Sequence, residues 1–138
     1  MNEYMVMQHN RVVGQEDRVY FLGDVCMPKT AAALTILSRM NGKKVLIKGN
    51  HDMAKMSQYQ MYFDDIRSVH TLDGMILSHI PVHPESLSRW KVNVHGHLHH
   101  RAVRFENTNT PDPRYVSVCM ERLNDYTPIS LEELKKKI

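Results

Sequence analysis

Val-Leu-Ile-Lys-Gly-Asn-His-Asp, residues 45–52, is an apolar run that ends at a glycine and continues into three polar residues. Residues 44–48 have the pattern of a short buried strand. Gly49 allows the sharp backbone turn that brings the following side chains back over the strand end. Ligands in open α/β sheets bind just beyond the carboxyl ends of strands. The stretch therefore predicts a buried strand that delivers an amide, an imidazole and a carboxylate to a site.

The same arrangement recurs at two other predicted strands, and a histidine ends a further one. Residues 18–22 run into Gly23-Asp24, and residues 92–95 run into Gly96-His97. His79 ends an apolar strand that covers residues 75–78. His97 and His99 are two residues apart, so in an extended chain they would point to the same face. The side chains that the glycine-ended strands bring together along one edge are Asp24, Asn50, His51, His97 and His99.

The rest of the chain predicts layers of helices and sheets. Apolar spacing predicts helices over residues 1–12 and 29–40, and Ser130 with Glu133 has the spacing of a capping box that opens a last helix. Asp73-Gly74 predicts a hairpin turn between residues 66–71 and 75–78, and residues 115–118 form a last strand. These elements give an α/β or α+β layered fold in a single domain of 138 residues.

Composition narrows the protein class only modestly. The net charge of +3 equals the excess contributed by Lys135, Lys136 and Lys137 at the C-terminus, so it is weak support for a phosphate-bearing partner. No apolar run is long enough for a membrane span, and the start lacks the pattern of a signal peptide. Cys26 and Cys119 are too few for a disulfide framework. We expect a cytoplasmic protein with reduced thiols and no membrane partner.

Each polar group by itself has an ordinary structural explanation. Asp24 alone fits a turn, and His79 alone fits a hydrogen-bonded core histidine. Together, one carboxylate, one amide and three histidines at strand ends form a mixed nitrogen and oxygen donor set. Such a set suits manganese, iron or zinc better than calcium. His95 is expected to face the core and His100 to point away from the site, so neither is a predicted ligand.

The four motif blocks resemble the calcineurin-like metallophosphoesterase superfamily, in particular its small phage and bacterial members. Gly23-Asp24, Gly49-Asn50-His51-Asp52, His79 and Gly96-His97-Leu98-His99 occur in that family's order, and the match covers roughly residues 1–105. The resemblance implies a β-sandwich flanked by helices. It also implies a phosphoester hydrolase, with phosphodiesters or nucleotides as small phosphorylated substrates.

The family's site holds two divalent ions, and the resemblance assigns roles to the residues here. Asp24 would bridge the ions, Asn50, His79 and His97 would complete one ion, and His99 would bind the other. His51 would be the catalytic histidine beside the phosphate, and Asp52 would orient a neighbouring histidine. An activated hydroxide would attack phosphorus in line. Manganese is the first choice of metal, with iron, zinc or nickel as alternatives, and the substrate-binding residues are unknown.

One family motif is absent from this sequence. The Asp-x-His of the first strand should precede the opening helix, and it would supply two ligands of the ion that His99 binds. We therefore expect a chain truncated at its N-terminus, without the first strand, that holds one ion or none instead of a tight pair and tends to form a homodimer across the unpaired edge. The alternative is a metal-binding interaction module that has lost catalysis. Nucleic-acid binding through the basic charge is a third, weaker alternative.

Overall fold

The computed structural model describes residues 2–23, 35–50, 52, 55–98, 101–119 and 127–138. Its α-helices are α1 (Asn2–Val12), α2 (Met56–Gln60) and α3 (Leu131–Lys136), and there are 3-10 helices at Thr35–Arg39 and Pro84–Ser88. Its strands are β1 (Arg18–Phe21), β2 (Lys43–Ile47), β3 (Asp65–Arg67), β4 (Val69–Leu72), β5 (Met75–Ser78), β6 (Val92–His95) and β7 (Tyr115–Ser117).

The strands form two sheets. The first sheet has the order β1-β2-β3 with parallel pairing throughout. The second has the order β4-β5-β6-β7, in which β4 and β5 are antiparallel and the other pairs are parallel. Two sheets with helices confirm the expected α+β layered fold. The carboxyl ends of β1, β2, β5 and β6 carry the predicted motif blocks.

The predicted hairpin is confirmed in part. Asp73 and Gly74 turn the chain between β4 and β5 with positive φ values of 49° and 80°, as a two-residue hairpin turn requires. The expectation that residues 66–67 belong to this hairpin is wrong. The chain changes sheets at Ser68, so those residues lie in β3 and pair with β2 instead.

The apolar residues of β2 are buried on both faces of the first sheet. Val45 and Ile47 pack between the sheets against residues of β5 and β6, and α3 contributes Leu134 to the same core. Leu46 points to the opposite face, where it packs with Leu37, Tyr59 and Phe63. Strands buried on both faces have continuous apolar runs instead of alternation. This double burial explains the uninterrupted Val-Leu-Ile run.

The helix predictions have mixed outcomes. The capped last helix is confirmed, since Ser130 Oγ accepts a hydrogen bond from the Glu133 backbone N–H at 3.1 Å. Of the helix predicted over residues 29–40, residues 29–34 lie outside the described part, and Thr35–Arg39 form a 3-10 helix. In the segment around α2, Tyr59 and Phe63 supply the buried face, and Met56 and Met61 are exposed. No helix within the described ranges has the length and apolar character needed to cross a membrane.

His9 is a buried histidine that ties α1 to the first sheet. Its ring stacks on Phe21, and its Nε2 lies 2.8 Å from the backbone oxygen of Asn41. A carbonyl oxygen can only accept, so this nitrogen carries the proton. Burial is the main cause that lowers the pKa of His9 below its ordinary value, and the positive charge of Lys44 acts in the same direction. The fold therefore favours the neutral ring.

We expect acid to destabilise the protein through His9. The unfolded chain takes up the proton near pH 6.5 while the folded chain resists it, so the free energy of unfolding falls as the pH drops below that value. Above it, this group makes no pH-dependent contribution. Urea denaturation of wild type and His9→Gln at pH 7.5, 6.5 and 5.5 should show a shallower pH dependence in the variant. The exposed His83, changed to glutamine, is the control. Equal slopes in wild type and His9→Gln would contradict the assignment.

Candidate metal centre

His79 joins the two sheets at their carboxyl edge. It directly follows β5 of the second sheet, and its Nδ1 lies 2.7 Å from the backbone oxygen of Leu22, which follows β1 of the first sheet. The side chain is buried, with 4% exposure. Because the carbonyl can only accept, Nδ1 carries a proton, and Nε2 is the ring atom that faces the other side chains of the cluster.

The Nε2 atom of His79 meets two further polar atoms. Asn50 Oδ1 lies 2.8 Å away and His97 Nδ1 lies 3.2 Å away, with the two imidazole rings edge-on at a centroid distance of 5.0 Å. These three side chains come from separate segments after β2, β5 and β6. The structure therefore brings together three of the predicted site residues, Asn50, His79 and His97.

A tight turn holds Asn50 at the tip of its loop. Asp52 Oδ2 accepts a hydrogen bond from the Gly49 N–H at 2.7 Å, and the Asp52 N–H donates to the Gly49 oxygen at 3.2 Å. Asp52 is buried, with 1% exposure. Its carboxylate thus closes the turn whose apex carries Asn50. The expected role of Asp52, to orient a neighbouring histidine, stays a prediction.

His97 lies in a strained turn, whereas the sequence pattern predicts an extended chain at this position. Its φ is +69°, and the Leu98 N–H donates to the Gly96 oxygen at 2.8 Å, so the backbone forms a γ-turn centred on His97. A γ-turn with positive φ is the rarer, strained form. The expectation that His97 continues an extended chain, with His99 on the same face, is therefore wrong at His97. Strain of this kind concentrates at functional sites.

Two glycines make room for the His79 ring. A Cβ on Gly23, whose φ is +93°, would lie 2.4 Å from His79 Nδ1 and 2.7 Å from the Gly49 Cα. A Cβ on Gly96 would lie 2.9 Å from the Leu22 oxygen. These approaches explain why the strands end in glycine: the absent side chains leave the space in which the imidazole reaches the other sheet.

The cluster has the chemistry of half a coordination shell. The 2.8 Å contact between His79 Nε2 and Asn50 Oδ1 has the length of a hydrogen bond, and the same two atoms could occupy adjacent positions around a cation. Ligands at right angles on bonds of about 2.1 Å are about 3 Å apart, close to the two observed separations. The Leu22 carbonyl on the other ring nitrogen is the usual outer partner of a metal-binding histidine. The donor set fits a divalent transition metal.

Not every predicted site residue can be placed. Asp24, His51 and His99 lie outside the described residues. Across the described ranges, no three histidine, cysteine, aspartate or glutamate side chains form a metal-binding group, since the cluster has two histidines and one amide. His95 is buried, as expected, with 1% exposure and its Nδ1 2.9 Å from the Gly96 oxygen.

Two contributors were missed from the sequence. The Leu22 carbonyl gives no sequence signal, because every residue has one. Asn93 does give a signal, as an amide between two valines in an apolar strand, and it hydrogen-bonds to the segment around His79.

A crevice with a volume of about 490 Å³ opens elsewhere, where β1 and β2 begin. Several of its charged groups already pair with neighbours, such as Arg67 with Asp65 at 2.6 Å and Lys43 with Glu16 at 3.2 Å. The cavity is lined by Arg18, Tyr20, Lys43, Val45, Asp64, Asp65, Arg67 and His70. Since Asn50, His79 and His97 are not among these residues, their cluster is separate from the cavity.

Comparison with known proteins shows relatives along the whole chain. No protein-family profile matches the sequence. The chain is 32% identical over 144 residues to the uncharacterized protein MJ1445 of Methanocaldococcus jannaschii. The aligned region covers 100% of this chain and 75% of that protein. It is 28% identical over 158 residues to the Gene 66 protein of Mycobacterium phage D29, across 91% of this chain and 77% of that protein.

A solved structure shares the fold. The crystal structure of the protein of unknown function AQ665 from Aquifex aeolicus superposes with a TM-score of 0.67 and 27% identity, across 99% of this chain and 84% of that chain. The similarity to the archaeal protein spans this entire chain and three quarters of its relative. The chain therefore belongs to the same family as the uncharacterized protein MJ1445 of Methanocaldococcus jannaschii.

Proposed function

We propose that this protein is a metal-dependent hydrolase of phosphoester bonds that acts on phosphodiesters or nucleotides. The observation that carries the proposal is the meeting of Asn50 Oδ1, His79 Nε2 and His97 Nδ1 beside one another at the carboxyl edge of both sheets. The motif order that resembles the metallophosphoesterases gives the reaction class. The proposed metal is manganese, with iron, zinc or nickel as alternatives.

The described residues would bind the cation in a defined way. His79 is held by the Leu22 carbonyl with Nε2 toward the site, and the Gly49–Asp52 turn aims the amide oxygen of Asn50 at the same point. A bound divalent cation would supply Lewis-acid activation of water and of a phosphoryl oxygen. Asp24 and His99 are proposed as further ligands on the sequence resemblance.

The resemblance also assigns the proton chemistry. His51 follows Asn50 directly in sequence, so a ligand and the proposed catalytic imidazole share one short loop. In the proposed mechanism His51 stabilises charge on the phosphate or protonates the leaving oxygen. Small phosphorylated substrates, phosphodiesters or nucleotides, are the proposed substrate class.

We expect His79→Ala to weaken Mn²⁺ binding by at least about tenfold, since the variant loses a ligand and the outer hydrogen bond that orients it. Isothermal titration with Mn²⁺ at pH 7.5 measures the affinity of wild type and variant. His83→Ala is the matched control, because His83 is exposed and lies in the same loop after β5 as His79. Equal affinity in wild type and His79→Ala would remove His79 from the site.

Hydrolysis is tested separately from metal binding. The wild-type chain with Mn²⁺ should cleave bis-p-nitrophenyl phosphate, and the rate should fall when a chelator removes the metal. Tight Mn²⁺ binding without any turnover of diesters, monoesters or nucleotides would overturn the enzymatic proposal. That outcome would support the alternative of a metal-binding interaction module.

A further inference from the structure

The chain on both sides of His79 is held by a buried polar network centred on Asn93. This residue lies in β6 and is fully buried, with 0% exposure. Its Nδ2 donates to Ser78 Oγ and to the Ile76 oxygen, each at 3.0 Å, and its Oδ1 accepts from the Val82 N–H at 2.9 Å. One amide therefore contacts the chain before His79 and after it.

Two hydroxyl groups extend this network around the same segment. Ser78 Oγ donates to the Ile80 oxygen at 2.7 Å, which bridges the residues on either side of His79. Tyr115 Oη, from β7, donates to the Val82 oxygen at 2.7 Å. We call Ser78, Asn93 and Tyr115 the clamp. Its hydrogen bonds hold the backbone of residues 76, 80 and 82.

Stability alone gives little reason for an amide at this position. Asn93 stands between Val92 and Val94, both of which are buried in the core between the sheets. Burying an amide costs free energy that its hydrogen bonds only roughly recover. The network is instead concentrated on the segment that presents His79. A fully satisfied buried network makes such a segment rigid.

We propose that Asn93 is a positioning residue that presets the His79 imidazole for cation binding. This inference rests on the proposed metal site. With its backbone clamped and its Nδ1–H on the Leu22 carbonyl, the ring holds Nε2 beside Asn50 and His97 before any cation arrives. Pre-organisation of this kind raises affinity because less ordering remains to be done on binding. Partners of this outer type typically change metal affinity 10–100-fold.

The first test compares two variants of adjacent buried residues in β6. Asn93→Leu keeps the approximate volume but removes the amide, and Mn²⁺ affinity measured by titration should fall about 10–100-fold. Val94→Ala leaves the clamp intact while it destabilises the core, and it should bind Mn²⁺ like wild type. If both variants lose affinity in proportion to their loss of unfolding free energy, Asn93 has only a structural role and the inference is overturned.

Milder variants cover the case in which Asn93→Leu does not fold. Ser78→Ala removes the bridge to Ile80, and Tyr115→Phe removes only one hydroxyl, so each should fold and lose part of the affinity. If both fold and bind Mn²⁺ with wild-type affinity, the clamp does not position His79 and the inference is overturned.

A metal-free measurement separates this inference from the proposed function. Long-range ¹H–¹⁵N spectra of the imidazoles report which ring nitrogen carries the proton. In the apo wild type, His79 should be a single tautomer protonated at Nδ1. In the clamp variants the bond to Leu22 should be made only part of the time, which gives a mixture of tautomers. If the wild type does not bind Mn²⁺ but the clamp variants differ from it in tautomer as expected, the metal site is overturned and the clamp is supported. An unchanged tautomer in folded variants would overturn the clamp.

Discussion

Gly23→Ala is expected to destabilise the fold by about 3 kcal/mol or more and to abolish measurable Mn²⁺ binding. The new Cβ would lie 2.4 Å from His79 Nδ1 and 2.7 Å from the Gly49 Cα. The Gly49 backbone cannot move away without shifting the turn that carries Asn50. The His79 ring cannot move without losing the Leu22 carbonyl. The substitution therefore displaces both Asn50 and His79, two of the three clustered side chains.

Gly74→Ala is the matched control. Gly74 also has a positive φ, +80°, but a Cβ there would meet nothing within 4 Å. It isolates the backbone strain of an alanine in this region, about 1–2 kcal/mol. Urea denaturation and Mn²⁺ titration of both variants give the comparison. If the two alanines cost the same stability, or if Gly23→Ala binds Mn²⁺ like wild type, the close packing around His79 is not required for the site.

His51→Ala is expected to lower the diesterase rate by about 10²–10⁴-fold while Mn²⁺ affinity stays near that of wild type. In the proposed mechanism this imidazole acts on the phosphate or the leaving oxygen and is not a ligand. Removal of a group that acts only in the transition state lowers kcat and kcat/KM together. The rate is measured with bis-p-nitrophenyl phosphate in Mn²⁺, and the affinity by titration of the same preparations.

Asn50→Ala gives the opposite pattern and serves as the comparison. Its side chain is one of the three that meet at the proposed cation position, so its loss should weaken Mn²⁺ binding. Saturating Mn²⁺ should therefore recover activity in Asn50→Ala better than in His51→Ala. Wild-type turnover by His51→Ala would rule out the catalytic role, and lost Mn²⁺ affinity in that variant would make His51 a ligand instead.

The strand-end rule predicted much of the cluster from the sequence. An apolar run that ends at Gly49 predicts β2 and the position of Asn50, and the same reasoning places His79 and His97 at the same edge. The β3–β4 boundary at Ser68 was missed, because local patterning marks extended chain without saying which sheet it joins. The γ-turn at His97 was missed as well, since a Gly-His-Leu stretch is compatible with extended and turned backbones alike.

The way in which His79 is held also lay beyond the sequence. Its hydrogen bond to Leu22 joins residues that are 57 positions apart, and the acceptor is a backbone carbonyl that any residue could supply. Only the packing of the two sheets determines which carbonyl the ring meets. Asn93 shows the intermediate case, because a polar residue between valines indicates a buried role without naming the segment that it holds.

The Leu22–His79 hydrogen bond has a consequence for cohesion between the sheets. Asn50 follows β2 of the first sheet, whereas His79 and His97 follow β5 and β6 of the second. A cation bound by all three side chains would therefore cross-link the two sheets. A ligand that binds only when both layers are in place stabilises their association by RT ln(1 + [L]/Kd). Local opening that separates the sheets would have to release the cation first. Metal occupancy and the protection of backbone amides in the core between the sheets from hydrogen exchange would then change together, because both depend on the association of the two sheets.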